Sequence, residues 1–295
     1  LMAAPRAQRP QFTTIINSQW SNHDLTCASI GNDYRIHFLN TSGADQLNLR
    51  ISRNQRALTI AWSTATNALA IGWSDGTVSI WSNGSIVDNQ PLEKSPIDIL
   101  AWHPLSSTLI SCSRNGMIAI WSITNNSSEI SLISSIQSQI QVQYICFSPI
   151  EKLTAFIVSK EGNIYAYQEG MSTVEEVVAI PKPVKYVSIN SDGTSFISAS
   201  GENILSIFHI DDLSFVRKAQ KKLDNSELIL FTSISDEYLC YSINDTIHLA
   251  SSENGEEITQ IQASEGDSII AIQFYTATNE LAAMTTAGRV VVWRM

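Results

Sequence analysis

Basic residues are scarce in this chain. Lys and Arg number 18 against 28 Asp and Glu, only 16% of the 295 residues are charged, and the formal net charge is −10. That balance excludes a general nucleic-acid binder, which needs a positive face to displace counterions. No apolar run approaches the roughly 18 residues of a membrane span, and the start, Leu1-Met-Ala-Ala-Pro-Arg6, lacks the apolar segment of a signal peptide. No Pro/Gly-rich linker or composition shift divides the chain. The four cysteines, Cys27, Cys112, Cys146 and Cys240, show no metal-ligand spacing and fall in four different expected strands, which reads as core thiols in a reducing compartment. A Gly-rich phosphate loop, a nucleophile elbow and a His-Glu-x-x-His helix are all missing. The histidines (His23, His37, His103, His209, His248) form no repeated set at one strand position, so no metal, cofactor or catalytic site is expected.

What is present is repetition. Leu69–Trp81 reads Leu-Ala-Ile-Gly-Trp-Ser-Asp-Gly-Thr-Val-Ser-Ile-Trp, two strand-like runs joined by a Ser-Asp-Gly turn in which Gly76 can take a positive φ. The phrase returns at Leu109–Trp121 and Leu281–Trp293, and in looser form at Leu25–Phe38, Thr154–Tyr167, Phe196–Phe208 and Tyr238–Leu249. The residues closing these hairpins, Phe38, Trp81, Trp121, Tyr167, Phe208, Leu249 and Trp293, are separated by 43, 40, 46, 41, 41 and 44 positions. An upstream anchor set, Trp20, Trp62, Trp102, Phe147, Ile189, Phe231 and Phe274, has spacings of 42, 40, 45, 42, 42 and 43. Two anchor sets with one period, and four strands per unit, are the signature of WD40-type blades.

The expectation is therefore an all-β, seven-bladed WD40-like β-propeller over residues 13–295. Residues 1–12 form an N-terminal extension expected to supply a short closing strand, with Pro5 and Pro10 limiting its length. In one unit Ile97–Trp102, Leu109–Ser113, Met117–Trp121 and Ile130–Ile136 are the four strands. Both faces of the third strands are apolar, as in a sheet sandwiched between neighbours. A chain of this length buries roughly three quarters of its unfolded surface, enough for a core without staples. Orthodox features are missing: Asp does not follow the closing Trp, and no Gly-His dipeptide occurs. The Asp–His–Ser/Thr–Trp hydrogen-bond network of orthodox repeats is thus expected to be absent, leaving apolar packing to hold the blades.

The hairpin tips, near Asp33, Asp75, Asn115, Glu161, Glu202, Asp245 and Gly288, are expected on one rim. Candidate partner-binding residues there are Trp73, Asp75, Arg114, Asn115, Lys160 and Arg289, since aromatic and Arg side chains most often anchor interfaces. Trp73 reads equally as a cap on the core of its own blade. Arg217, Lys218, Lys221 and Lys222, with Pro181-Lys-Pro-Val-Lys185 upstream, read either as a contact for anionic lipid or an acidic partner, or as a solvated outer loop.

Leu69–Trp81 followed by Ile97-Asp-Ile-Leu-Ala-Trp102 resembles the second and third blades of the intraflagellar transport protein 140 family, large subunits of ciliary transport complex A. Glu202-Asn-Ile-Leu-Ser-Ile-Phe208 is similar to a middle blade, and Leu281-Ala-Ala-Met-Thr-Thr-Ala-Gly-Arg-Val-Val-Val-Trp-Arg294 to the close of the first propeller. Family members carry two propellers and a helical solenoid, so the resemblance implies an N-terminal propeller of a longer protein. It further implies a non-catalytic scaffold in the cytoplasm and cilium (axoneme and basal body), acting in retrograde transport and import of ciliary membrane proteins. The implied partners are complex A subunits and cargo adaptors. A coat-type or ubiquitin-ligase adaptor propeller, or a propeller enzyme, remain the alternatives.

Overall fold

The computed structural model describes residues 15–21, 26–40, 51, 53–89, 91–124, 129–150, 152–180, 182–189, 193–200, 203–211, 213–222, 228–233, 238–243, 246–262, 268–275, 280–286 and 289–294. Everything regular in them is β-structure. The first sheet holds β1 (Ile15–Trp20), β2 (Cys27–Gly31) and β3 (Ile36–Leu39), the second β4 (Ala57–Trp62), β5 (Leu69–Trp73), β6 (Val78–Ser82) and β7 (Ser85–Asp88). The third holds β8 (Ile97–Trp102), β9 (Thr108–Ser113), β10 (Met117–Thr124) and β11 (Glu129–Gln137). The fourth holds β12 (Val142–Phe147), β13 (Thr154–Ser159), β14 (Ile164–Gln168) and β15 (Glu175–Glu176), the fifth β16 (Val184–Ile189), β17 (Ser195–Ser200), β18 (Ile204–Asp211) and β19 (Ser214–Lys222). The sixth holds β20 (Leu228–Ser233), β21 (Tyr238–Ile243), β22 (Thr246–Ser251) and β23 (Glu257–Gln262), and the seventh β24 (Ile269–Tyr275), β25 (Glu280–Thr285) and β26 (Val290–Arg294).

Seven antiparallel meanders in chain order make a seven-bladed β-propeller, the fold class the double period implies. The blade written out from sequence is β8 to β11, exact at the first strand, within one residue at each end of the second and fourth, and three residues short at the end of the third. In blade one the only trace of a fourth strand among the described residues is a single bridge between Ile36 and Ile51. The expected closing strand from residues 1–12 lies outside the described residues, as do the tip residues Glu202, Asp245 and Gly288. The chain divides into two compact units, one holding blades one to three within Ala7–Val142 together with Ala287–Val290, the other holding nearly all of blades four to seven within Gln143–Thr286 and Val291–Met295.

Each second strand is apolar on both faces. Every residue of β5 and β13 is buried. Their side chains enter clusters that straddle neighbouring sheets within a unit. Phe38 of blade one packs on Trp62 and Trp81 of blade two at ring-centroid distances of 6.2 and 4.8 Å. Blades four and five share Phe156, Phe196 and Phe208, with Phe215 edge-on to all three. The first-strand anchors are buried here as well: Trp20, Trp62, Trp102 and Phe147. Trp102 also donates its indole N–H to the Ala61 carbonyl of the preceding blade at 2.9 Å, and Gln19 Oε1 accepts from the Trp62 amide at 2.9 Å.

Apolar packing is not the whole account. Trp121 Nε1 donates to Ser111 Oγ across the second and third strands of blade three, at 2.8 Å and fully buried. The Ser–Trp limb of the orthodox network therefore survives there, correcting the expectation that the network is wholly absent. The reason is local: an indole N–H buried without an acceptor costs about 1–3 kcal/mol, and Ser111 is placed to remove that cost.

The tips follow one rule. The amide of the third loop residue donates to the carbonyl at the loop start: Tyr34 to Gly31, Gly76 to Trp73, Gly116 to Ser113, Gly162 to Ser159 and Asn203 to Ser200. The φ values of these third residues are 57°, 90°, 86°, 81° and 59°. This is a three-residue loop in which a turn is followed by a left-handed residue. At Gly116 a Cβ would also overlap the Ser138 carbonyl oxygen, whereas at Gly84, φ 82°, it would meet nothing within 4 Å. Gly84→Ala is therefore expected to cost only backbone strain, about 1–2 kcal/mol, and Gly116→Ala clearly more. Urea unfolding of the two variants side by side measures the difference; equal losses would show that the overlap at Gly116 is relieved freely.

Candidate protein-interaction surface

The tips of blades two and three meet around one connecting segment. Residues 92–95 lead from β7 into β8. The Gly76 backbone abuts Glu93, so closely that a Cβ would overlap its carbonyl oxygen. From the other side Ser113 Oγ donates to Glu93 Oε1, and the Asn115 amide donates to Ser95 Oγ at 3.3 Å. Thus the candidate residues Asp75, Arg114 and Asn115, which belong to two blades, are brought to one surface. Between them stand Leu92, 43% exposed, and the exposed Lys94.

The backbone of this surface is fixed by its own hydrogen bonds. Asp75 Oδ1 accepts from the Thr77 amide at 3.0 Å, and Asp33 Oδ1 makes the same contact with Arg35 at 3.1 Å in blade one. Short Asp side chains do this because they reach their own backbone two residues on. Arg114, with 58% of its side chain exposed, forks onto Asp98 of β8, Nε to Oδ2 at 3.1 Å and Nη2 to Oδ1 at 2.8 Å. The pairing holds the guanidinium still and raises its pKa. Glu93 and the Leu92 projection carry no recognisable sequence signal, because they lie between the repeated phrases, and nothing in Ile97–Trp102 marks Asp98 as the partner of Arg114.

The other candidates are dispersed. Lys160 is exposed at the blade-four tip, and Arg289 is half-buried beside the blade-seven tip. Trp73 is only 1% exposed. Its indole N–H donates to Ser79 Oγ at 2.7 Å, Ser79 Oγ donates to Asp88 Oδ1 at 2.5 Å, and the Arg53 guanidinium lies 4.5 Å from the ring centroid. With no surface to offer, Trp73 is corrected from an interface anchor to a core cap. The Arg217, Lys218, Lys221 and Lys222 group lies on β19, an edge strand rather than a loop. Lys221 and Lys222 are strand neighbours and so point to opposite faces, which prevents the four cations from converging.

Two histidines pair with carboxylates. His37 Nε2 lies 3.2 Å from both Asp33 oxygens, and His248 Nδ1 lies 2.8 Å from Glu257 Oε2 while its ring stacks on Tyr241. Among the described residues no group of three His, Cys, Asp or Glu could hold a metal. Blades four and five enclose a cleft of about 270 Å³ lined by Thr154, Phe156, Thr194, Ile210, Asp211 and Leu213. Its one carboxylate is Asp211.

The chain is thus a seven-bladed WD40-like β-propeller. No protein-family model matches it. Over 198 residues it is 24% identical to the target of rapamycin complex subunit wat1 of Schizosaccharomyces pombe, covering 64% of this chain and 62% of that protein. Over 162 residues it is 28% identical to meiotic fizzy-related protein 2 of the same yeast, covering 52% of this chain and 30% of that protein. The chain thus spans less than two thirds of either relative. Among solved structures, the β-propeller domain of Myceliophteria thermophila Cps50 (Swd1) superposes with a TM-score of 0.74 over 100% of both chains at 12% identity, a likeness of fold.

Burial raises the pKa of Asp33, but hydrogen bonds from the Arg35 amide and His37, with the charge of His37 and Arg35, outweigh it and the net shift is downward. A carboxyl depressed in the folded state contributes stability above its unfolded value, near 4, and loses it as pH falls through the folded value. Asp33→Asn is therefore expected to flatten the fall in urea midpoint between about pH 5 and pH 3. A mutant profile parallel to wild type over that window would rule the contribution out.

Proposed function

We propose that this propeller is a non-catalytic docking module in a multisubunit assembly. The observation that carries the reading is the surface shared by blades two and three: Asp75, Leu92, Lys94, Arg114 and Asn115 stand on loops whose backbones are already hydrogen-bonded. A partner meeting such a surface orders few side chains, which keeps the entropic cost of binding low. Exposed Leu beside a fixed Arg supplies the apolar and cationic contacts that anchor interfaces.

The assembly we assign is complex A of intraflagellar transport, at the cilium, with its subunits and cargo adaptors as partners and retrograde transport and membrane-protein import as the task. The resemblance of Leu69–Trp81, Ile97–Trp102, Glu202–Phe208 and Leu281–Arg294 to the intraflagellar transport protein 140 family supports it. A second reading, a subunit of a target of rapamycin complex, is favoured by the similarity to a subunit of that complex.

Affinity purification of the full-length protein from a ciliated cell decides between them. Complex A subunits should co-purify with wild type, and Leu92→Asp with Arg114→Glu should lower their recovery about tenfold, the usual effect of losing 1.4 kcal/mol. Recovery of target of rapamycin components instead would transfer the assignment to the second reading. Recovery unaffected by the double substitution, in a protein with wild-type circular dichroism, would remove this surface from the interface.

A further inference from the structure

Each four-stranded blade ends in an outer strand, and an outer strand leaves a row of backbone donors and acceptors unpaired. Four of the described outer strands are guarded. β7 has four residues and β15 two, too short to template a partner. β19 is nine residues long but carries Arg217, Lys218, Lys221 and Lys222. β23 has six residues and is entered through Glu256 and Glu257.

β11 has none of these protections. It runs nine residues, Glu-Ile-Ser-Leu-Ile-Ser-Ser-Ile-Gln, with one charge and no proline, and it terminates its sheet. Leu132 and Ile133 are 44% and 56% exposed. They are exposed together because Ile133 is the extra residue of a β-bulge: Ile120 pairs with Ser134 and Trp121 with Leu132, leaving Ile133 unmatched. The same bulge occurs at Lys218 in β19 and Ile258 in β23. In β19 the bulge presents a cation; in β11 it presents an isoleucine beside a leucine.

We propose that β11 pairs antiparallel with β11 of a second copy of this chain, about a two-fold axis at Ile133. The sequence is close to a chemical palindrome about that residue. In this register Ile130 meets Ile136, Ser131 meets Ser135, Leu132 meets Ser134, and Ile133 meets itself. The only charge, Glu129, falls opposite the uncharged Gln137, so no like charges face each other. The two bulges coincide at the axis and their kinks match. Such an isologous contact closes on itself and stops at a dimer. It joins two third blades into one eight-stranded sheet and leaves the Leu92–Arg114 surface to other partners.

The test is solution mass by sedimentation velocity across a wide concentration range, with cysteine trapping to fix the register. Wild type should reach dimer mass, while Ile133→Lys and, separately, Ser131→Lys should remain monomeric with unchanged circular dichroism. Leu105→Lys, a substitution at a 63% exposed site outside β11, should dimerise like wild type. Because directly opposed side chains have Cβ atoms about 5 Å apart, Ile133→Cys should form an intermolecular disulfide under mild oxidation and Ser135→Cys should not. A wild-type monomer at the highest concentration, a dimer indifferent to both lysine variants, or trapping at Ser135 but not at Ile133 would each overturn the proposal.

Discussion

A sheet with two apolar faces has no stable existence by itself, and that constraint governs everything described above. β5 and β13 bury every residue they contain, which neither sheet could do alone. Within each compact unit the blades solve the same problem in the same way, by interleaving aromatic and branched side chains across the gap between sheets. Stability is then a property of neighbours rather than of blades. The few polar contacts that cross a gap, such as Trp102 to Ala61 and Gln19 to Trp62, set the register of a packing whose driving force is non-directional.

The same constraint frees the loops. Because the core is settled by the strands, the tips need only close their hairpins, and they do so through main-chain bonds plus one left-handed residue. That slot is filled by Gly76, Gly116 and Gly162, but also by Tyr34 and Asn203, so backbone geometry persists while the side chains change. A platform can then be assembled from two adjacent tips and the segment they clasp, with chemistry chosen for a partner instead of for folding.

The fold was legible in the sequence because propellers repeat: the closing aromatics and upstream anchors report burial at fixed positions, and burial is what a hydrophobic residue encodes. The surface was legible only in part. Arg114 and Asn115 are marked by their place at a tip, but Leu92 and Glu93 gain their roles from the apposition of two blades, and Asp98 from the pairing of β8 with β9 that brings it to Arg114, none of which a local pattern records. Trp73 illustrates the opposite ambiguity. An aromatic beside a turn carries the same signal whether it faces solvent or folds back, and only the placement of Ser79, Asp88 and Arg53 decides it. The bulges at Ile133, Lys218 and Ile258 escape pattern reading for a third reason: an inserted residue breaks the two-residue alternation on which strand reading depends.

The four thiols carry a consequence of their own. Cys27, Cys112, Cys146 and Cys240 form no disulfide and sit in blades one, three, four and six. Burial raises the pKa of every one, that of Cys240 to about 12, which keeps the reactive thiolate form negligible while the sheets are closed. Cys27, Cys112 and Cys240 are buried outright, and their reaction with an alkylating reagent must wait for the surrounding strands to part. The chain thereby contains a set of internal clocks in three separate sheets, and the order in which they are labelled under native conditions reads directly which of blades one, three and six opens first.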